Sequence, residues 1–231
     1  MMYDIRLLVF DWDGTLMDSE AQIVACMQAA IADLGLEPRG TEAVKNIIGL
    51  GLQEAVAALY PGSGADLVTV LADRYRAQWL GGARRSPLFP GVEETLHLLK
   101  DEGFQLAVAT GKGRRGLDKV LGETGLDKLF DVTRCSDETR SKPHPLMLNQ
   151  IMRHTGAQPG QTLMIGDTEY DMEMARNAGA HPVAVSYGVH EVERLQRHAP
   201  LTCLDRITEL GDWLAEVREV TPPHVASGAQ A

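Results

Sequence analysis

Four short stretches of this chain are dense in apolar residues: 5–10, 105–109, 162–165 and 182–185. Runs of this length read as strands buried on both faces, the mark of a parallel sheet. Between them, apolar positions recur at helical spacing. Val92, Leu96 and Leu99 share one face, as do Leu117, Val120, Leu121 and Thr124. Residues 145–154 carry Leu148, Ile151 and Met152, and residues 171–178 run into Gly179, which suits the position just past a helix end. Strands alternating with helices predict a doubly wound α/β core.

One interval breaks this rhythm. From Asp18 to about Arg84 no strand pattern occurs; Ile23, Met27, Ala30, Ile31 and Leu34 mark a long amphipathic helix instead. Shorter helical patterns follow at 41–47, 53–59 and 65–80. The spacing predicts a helical domain at 18–84, inserted after the first strand into a core built from 1–17 and 85–220. Linkers are expected near 15–18 and 81–89. The tail at 221–231, rich in Pro, Gly and Ala, is expected to be disordered.

Composition narrows the class. The 231 residues are 44% hydrophobic and 23% charged, ordinary for a globular protein. No apolar run reaches membrane-spanning length and no basic signal region opens the chain, so a cytoplasmic protein without a membrane partner is expected. Cys26, Cys135 and Cys203 are scattered and odd in number, which points to reduced thiols. The net charge of −10 argues against a nucleic-acid partner. It would also repel an anionic small molecule, so an anion site would need local cations.

The unusual polar residues fall where the predicted strands end. Asp11-Trp12-Asp13-Gly14-Thr15 follows the first strand, Thr110-Gly111 the second, and Gly166-Asp167 the third. Ser141-Lys142-Pro143-His144-Pro145 lies in the loop before the helix that precedes that third strand. In open α/β sheets, ligands bind at the strands' carboxyl ends. Two carboxylates two residues apart after a buried strand need a cation or a shared proton. Asp167 and Asp171, at i and i+4 where a helix begins, can face one site, and hard oxygen ligands suit Mg²⁺. Met164, Met172 and Met174 read as core packing, His144 as a loop-shaping residue, and Lys112, Arg114 and Arg115 as a solvated basic helix start or a contact for a second anionic group.

These four motifs, in this order, resemble those of the haloacid dehalogenase-like (HAD) hydrolases, and most closely the phosphoglycolate phosphatase-like members with a helical C1 cap. The resemblance implies a Mg²⁺-dependent phosphatase acting on a small phosphorylated metabolite through an aspartyl-phosphate. Asp11 would be the nucleophile and Asp13 the general acid and base, with its backbone carbonyl also on the metal. Asp11, Asp13, Asp167 and Asp171 would form the metal site, Asp171 directly, through water, or by holding Lys142. Thr110 and Lys142 would bind the phosphoryl group, aided by Gly14 and Gly111. Gly49 and Gly51, in the cap sequence Gly49-Leu50-Gly51, would belong to a substrate-specificity loop. A sugar phosphomutase shares all four motifs and is the alternative; a non-catalytic binding protein is a third reading. Thr110-Gly111-Lys112-Gly113 departs from the Thr-Asn-Lys-Pro common in phosphoglycolate phosphatases, which points away from phosphoglycolate itself. A monomer or a homodimer is expected.

Overall fold

The computed structural model describes residues 3–82 and 85–217; the tail predicted at 221–231 lies outside the described residues. The chain opens with strand β1 (Leu7–Phe10) and passes through four helices, α1 (Glu20–Asp33), α2 (Thr41–Lys45), α3 (Leu52–Leu59) and α4 (Ala65–Gly81). It then runs α5 (Val92–Asp101), β2 (Gln105–Thr110), α6 (Arg114–Thr124), β3 (Val132–Cys135), α7 (Leu146–Thr155), β4 (Thr162–Gly166), α8 (Glu169–Asn177), β5 (His181–Val185), α9 (Val192–Gln196), β6 (Cys203–Leu204) and α10 (Glu209–Val217).

The strands form one parallel sheet in the order β3-β2-β1-β4-β5-β6. All four β1 residues are buried, because β1 has strands on both sides and helices on both faces. The two-residue period of a strand divides them. Leu8 and Phe10 join one core with Leu106, Val108, Leu163 and Ile165, covered by Leu96 and Leu99 of α5 and Leu117 of α6. Leu7 and Val9 join the other with Ala107, Ala109 and Met164, covered by Met147 and Ile151 of α7 and Met174 of α8. The sheet is therefore the doubly wound α/β core that the sequence predicts.

Strands β3 and β6 and helices α9 and α10 were not legible in the hydrophobic pattern. β3 is an edge strand whose middle residues, Thr133 and Arg134, are only partly buried, so no continuous apolar run marks it. β6 has two residues and α9 five, too few to show a period. Helices α1 to α4 form a helical unit in which α1 packs on α4 and α4 on α3. Its two connections run side by side: Asp18 N–H donates to Pro87 O and Phe89 N–H to Leu16 O, both near 3 Å, with Met17 bridged to Leu88.

Candidate active site

β1 delivers Asp11 immediately past its last residue, with the Asp11 N–H still bonded to Ile165 O at 2.9 Å. β1 sits where the strand order reverses, with β2 on one side and β4 on the other. The crevice at such a switch point is where side chains beyond several strands can converge. Here they do. Lys142 is fully buried and places Nζ 2.9 Å from Asp11 Oδ1 and 2.6 Å from Asp171 Oδ1. Asp11 Oδ1 also accepts a 2.7 Å bond from the Trp12 N–H. Asp11 Oδ2 is buried and has no hydrogen-bond partner.

Asp167 follows β4. Its Oδ1 accepts from the Thr15 hydroxyl at 2.8 Å and its Oδ2 from the Val189 N–H at 2.9 Å. Asp171 does two jobs: Oδ2 accepts from the Thr168 N–H and hydroxyl at the start of α8, while Oδ1 faces Lys142. Two glycines make room. Gly14 has φ +80°, and a Cβ there would overlap the Asp167 carboxylate; a Cβ at Gly166 would overlap Asp171. Gly14 thus lets Asp167 close in, a packing role not foreseen for it.

One oxygen each from Asp11, Asp167 and Asp171 lies within 4.8 Å of the others, and all three residues are buried. Burial pushes the Asp11 carboxyl well above its ordinary value; Lys142 opposes the rise and Asp171 and Asp167 add to it. Burial also pushes Asp167 up to about 7, reinforced by Asp171 against the pull of Val189, Thr15 and Lys142. For Lys142, burial disfavours the charge, but the two carboxylates outweigh it and hold the ammonium above its ordinary value. Three carboxylates against one ammonium leave an excess of negative charge, which suits a divalent cation bound by oxygen ligands.

Asp13 stands apart from this trio. Its Oδ1 accepts from the Ser19 hydroxyl at 2.6 Å, and its Oδ2 pairs with Lys112 Nζ at 2.9 Å. That ammonium also lies 3.9 Å from the centre of the Trp79 ring on α4, a cation–π contact. A cavity of about 480 Å³ opens above Asp11, Asp13, Thr110 and Gly111, walled by the helical unit. Thr110 is fully buried, and its Oγ1 accepts from the Lys112 N–H at 3.2 Å.

Residues 46–51 of the helical unit rest on the core. Tyr170 OH donates to Asn46 O at 2.8 Å, Arg194 donates to Asn46 Oδ1 at 2.6 Å, and the Gly51 N–H donates to Ser141 Oγ at 2.7 Å. Gly49 has φ +99°, and a Cβ at Gly111 would overlap the carbonyl oxygen of Leu50. Gly49 lines the cavity, whereas Gly51 meets the core at Ser141 and Ser136.

Of the residues singled out in the sequence, Asp11, Lys142, Asp167 and Asp171 form one cluster, with Asp13, Thr110, Gly111 and Gly49 around the adjoining cavity. Of the basic trio, Lys112 faces Asp13 and Arg115 lines the cavity, whereas Arg114 turns away to Glu138 and Asp118. His144 Nδ1 accepts from the Leu146 N–H and so shapes its loop. Ser19 and His190 carried no readable signal, and Thr15, though part of the first motif, had no role of its own assigned. Buried His190 accepts from the Glu169 N–H through Nδ1, and burial holds its imidazole down to about 4. Thr15 and Asp167 lie 152 positions apart, so only the folded chain pairs them.

The family model for haloacid dehalogenase-like hydrolases matches residues 8–185. A "Probable phosphatase IndB" of Dickeya dadantii is 34% identical over 88% of this chain and 91% of its own length. A phosphoglycolate phosphatase of Pseudomonas putida is 30% identical over 89% of this chain and 78% of its own length. Among solved structures, a predicted phosphoglycolate phosphatase from Haemophilus somnus superposes with a TM-score of 0.83 at 25% identity, covering 92% of this chain and 99% of the other.

Proposed function

The chain belongs to the haloacid dehalogenase-like hydrolases, and we propose that it is a Mg²⁺-dependent phosphatase that cleaves a phosphate monoester of a small metabolite through an aspartyl-phosphate on Asp11. One observation carries this reading: Asp11 presents one bonded and one free buried oxygen inside a cluster of two further carboxylates and a lysine. Asp11, Asp167 and Asp171 would hold the Mg²⁺, with the Asp13 carbonyl as a further ligand. When bound, the ion supplies Lewis-acid stabilisation of charge on the transferring phosphoryl oxygens.

The chain's own residues then divide the work. Trp12 N–H and Lys142 fix Oδ1 of Asp11, which leaves Oδ2 to attack phosphorus in line. Lys142, with the Thr110 hydroxyl and the amides near Gly111, counters phosphoryl charge and provides the local cation that a −10 molecule needs. Asp13, as general acid, gives a proton to the leaving alkoxide as the P–O bond breaks. The resulting carboxylate takes a proton from water as that water attacks phosphorus, freeing Asp11 and inorganic phosphate. Such acid–base help contributes roughly 10²–10⁴-fold. Ser19 and Lys112 hold Asp13 in place, one on each oxygen. Helices α1–α4 serve as a cap that excludes bulk water.

Phosphate release from a panel of metabolite phosphates, with Mg²⁺ and with EDTA, tests the reading. Release that requires Mg²⁺ and vanishes in Asp11→Asn supports it. Isomerised sugar phosphate in place of free phosphate would replace it with a phosphomutase.

A further inference from the structure

The cavity above Asp11 is larger than a two-carbon acid requires. Its volume is about 480 Å³. A nine-heavy-atom ester such as phosphoglycolate fills at most roughly 270 Å³, even if each heavy atom is given a whole water's share of liquid volume. Helices α1–α4 and the loop between them contribute apolar Ile23, Met27, Ile48, Tyr75 and Trp79 to the wall, with Gln53, Glu54 and Arg76 as polar members. The indole of Trp79, buried with Lys112 Nζ 3.9 Å from its ring centre, and the half-buried phenol of Tyr75 lie 21° from parallel with ring centres 6.3 Å apart, so α4 lines the cavity with two aromatic rings.

We propose that the leaving group of the natural substrate is an alcohol bearing a flat unsaturated ring, seated against Trp79 and Tyr75 while its phosphate lies on Asp11. This rests on the phosphatase reading and names the substrate class within it. The charge pattern favours a ring over a second carboxylate. Two cations lie on this side: Lys112, which already pairs with Asp13 and keeps only 7% of its side chain exposed, and Arg76 of α4, which pairs with Asp73. A substrate carboxylate placed against Ile23, Met27 and Trp79 would lose its hydration without a free partner. A ring in the same place exchanges water for aromatic and thioether contacts, which are favourable. Arg115 lines the cavity but is exposed, so a charged group is better met there than on the aromatic wall.

Four esters test this: benzyl phosphate and uridine 5′-monophosphate bear a ring, 2-phosphoglycolate and glycerol 3-phosphate do not. Turnover is measured on the Mg²⁺-loaded protein, and binding by calorimetry on Mg²⁺-loaded Asp11→Asn. The ring-bearing esters should lead by about tenfold or more in kcat/KM and in affinity, as stacking contacts do. Trp79→Leu keeps apolar bulk and should collapse the ratio of ring-bearing to ring-free ester; Trp79→Phe keeps an aromatic face and should retain it. A lead by the nucleotide assigns a nucleoside, and a lead by benzyl phosphate a simple aryl alcohol. Phosphoglycolate in the lead, or a ratio unchanged in Trp79→Leu, overturns the proposal. If no ester is hydrolysed, the phosphatase reading fails on its own, and the binding arm still decides the ring: equal or absent binding of the ring-bearing esters overturns it.

Discussion

The two carboxylate oxygens of Asp11 have different surroundings, and the proposed chemistry rests on that asymmetry. Oδ1 is held by Lys142 and the Trp12 N–H, and Oδ2 is left unbonded. Lys142 is the hinge of this arrangement, being the buried cation shared by Asp11 and Asp171. Lys142→Met should abolish turnover and destabilise the fold by about 3–5 kcal/mol, because it leaves buried carboxylates unpaired. Urea unfolding near neutral pH measures this; a loss below about 1 kcal/mol with turnover intact would contradict it. Gly14→Ala should weaken Mg²⁺ binding at least tenfold, since a methyl would displace the Asp167 carboxylate from a backbone already at φ +80°. Metal titration followed by calorimetry checks it. Asp11, Asp13, Lys142 and Asp167 were legible in the sequence because each follows a strand or interrupts a loop with a charge that has no reason to be buried there. The tethering of Asp13 was not: Ser19 holds one of its oxygens and Lys112 the other, whereas Lys112 read as a solvated helix start or a contact for a second anionic group.

At the scale of elements, the sheet places the residues and helices α1–α4 wall the cavity above them. The cap meets the core through few groups: Asn46 against Tyr170 and Arg194, Gly51 against Ser141, and Leu50 over Gly111. Arg194 also pairs with Glu169 at the start of α8, so the clasp is anchored one residue beyond Thr168. Arg194→Ala should loosen cap closure and raise KM several-fold while kcat changes less. Equal KM in variant and wild type, from steady-state kinetics, would make the contact incidental. Gly111→Ala should be harsher, because the added methyl meets the Leu50 carbonyl and holds the cap off the core. The central strands and the cap helices were legible because their apolar periods are long enough to read. Edge strand β3, with half-exposed Thr133 and Arg134, and two-residue β6 have too little buried surface of their own; their places are set by neighbours already in the sheet.

For the whole molecule, an acidic chain gathers three buried carboxylates at one point, where a bound divalent cation would offset their mutual repulsion. Burial and Asp171 raise the Asp167 carboxyl from its ordinary 3.8 to about 7. Between those values the unfolded chain has released the proton and the metal-free fold still holds it. The contribution of this group is therefore fully present below about pH 3.8 and is lost as pH rises through about 7. Mg²⁺ prefers the ionised carboxylate, so the rise in melting temperature on adding Mg²⁺ should be small near pH 5 and larger near pH 8. A shift equal at both pH values would contradict a metal bound through Asp167.

The most direct test of the central claim is to quench the Mg²⁺-loaded protein with acid during turnover of a phosphate ester and map the phosphoryl group by peptide mass spectrometry. Phosphoryl should appear on the peptide bearing Asp11, accumulate further in Asp13→Asn as its hydrolysis slows, and be absent in Asp11→Asn. Sustained phosphate release with phosphoryl on no residue, or on a residue other than Asp11, would contradict it.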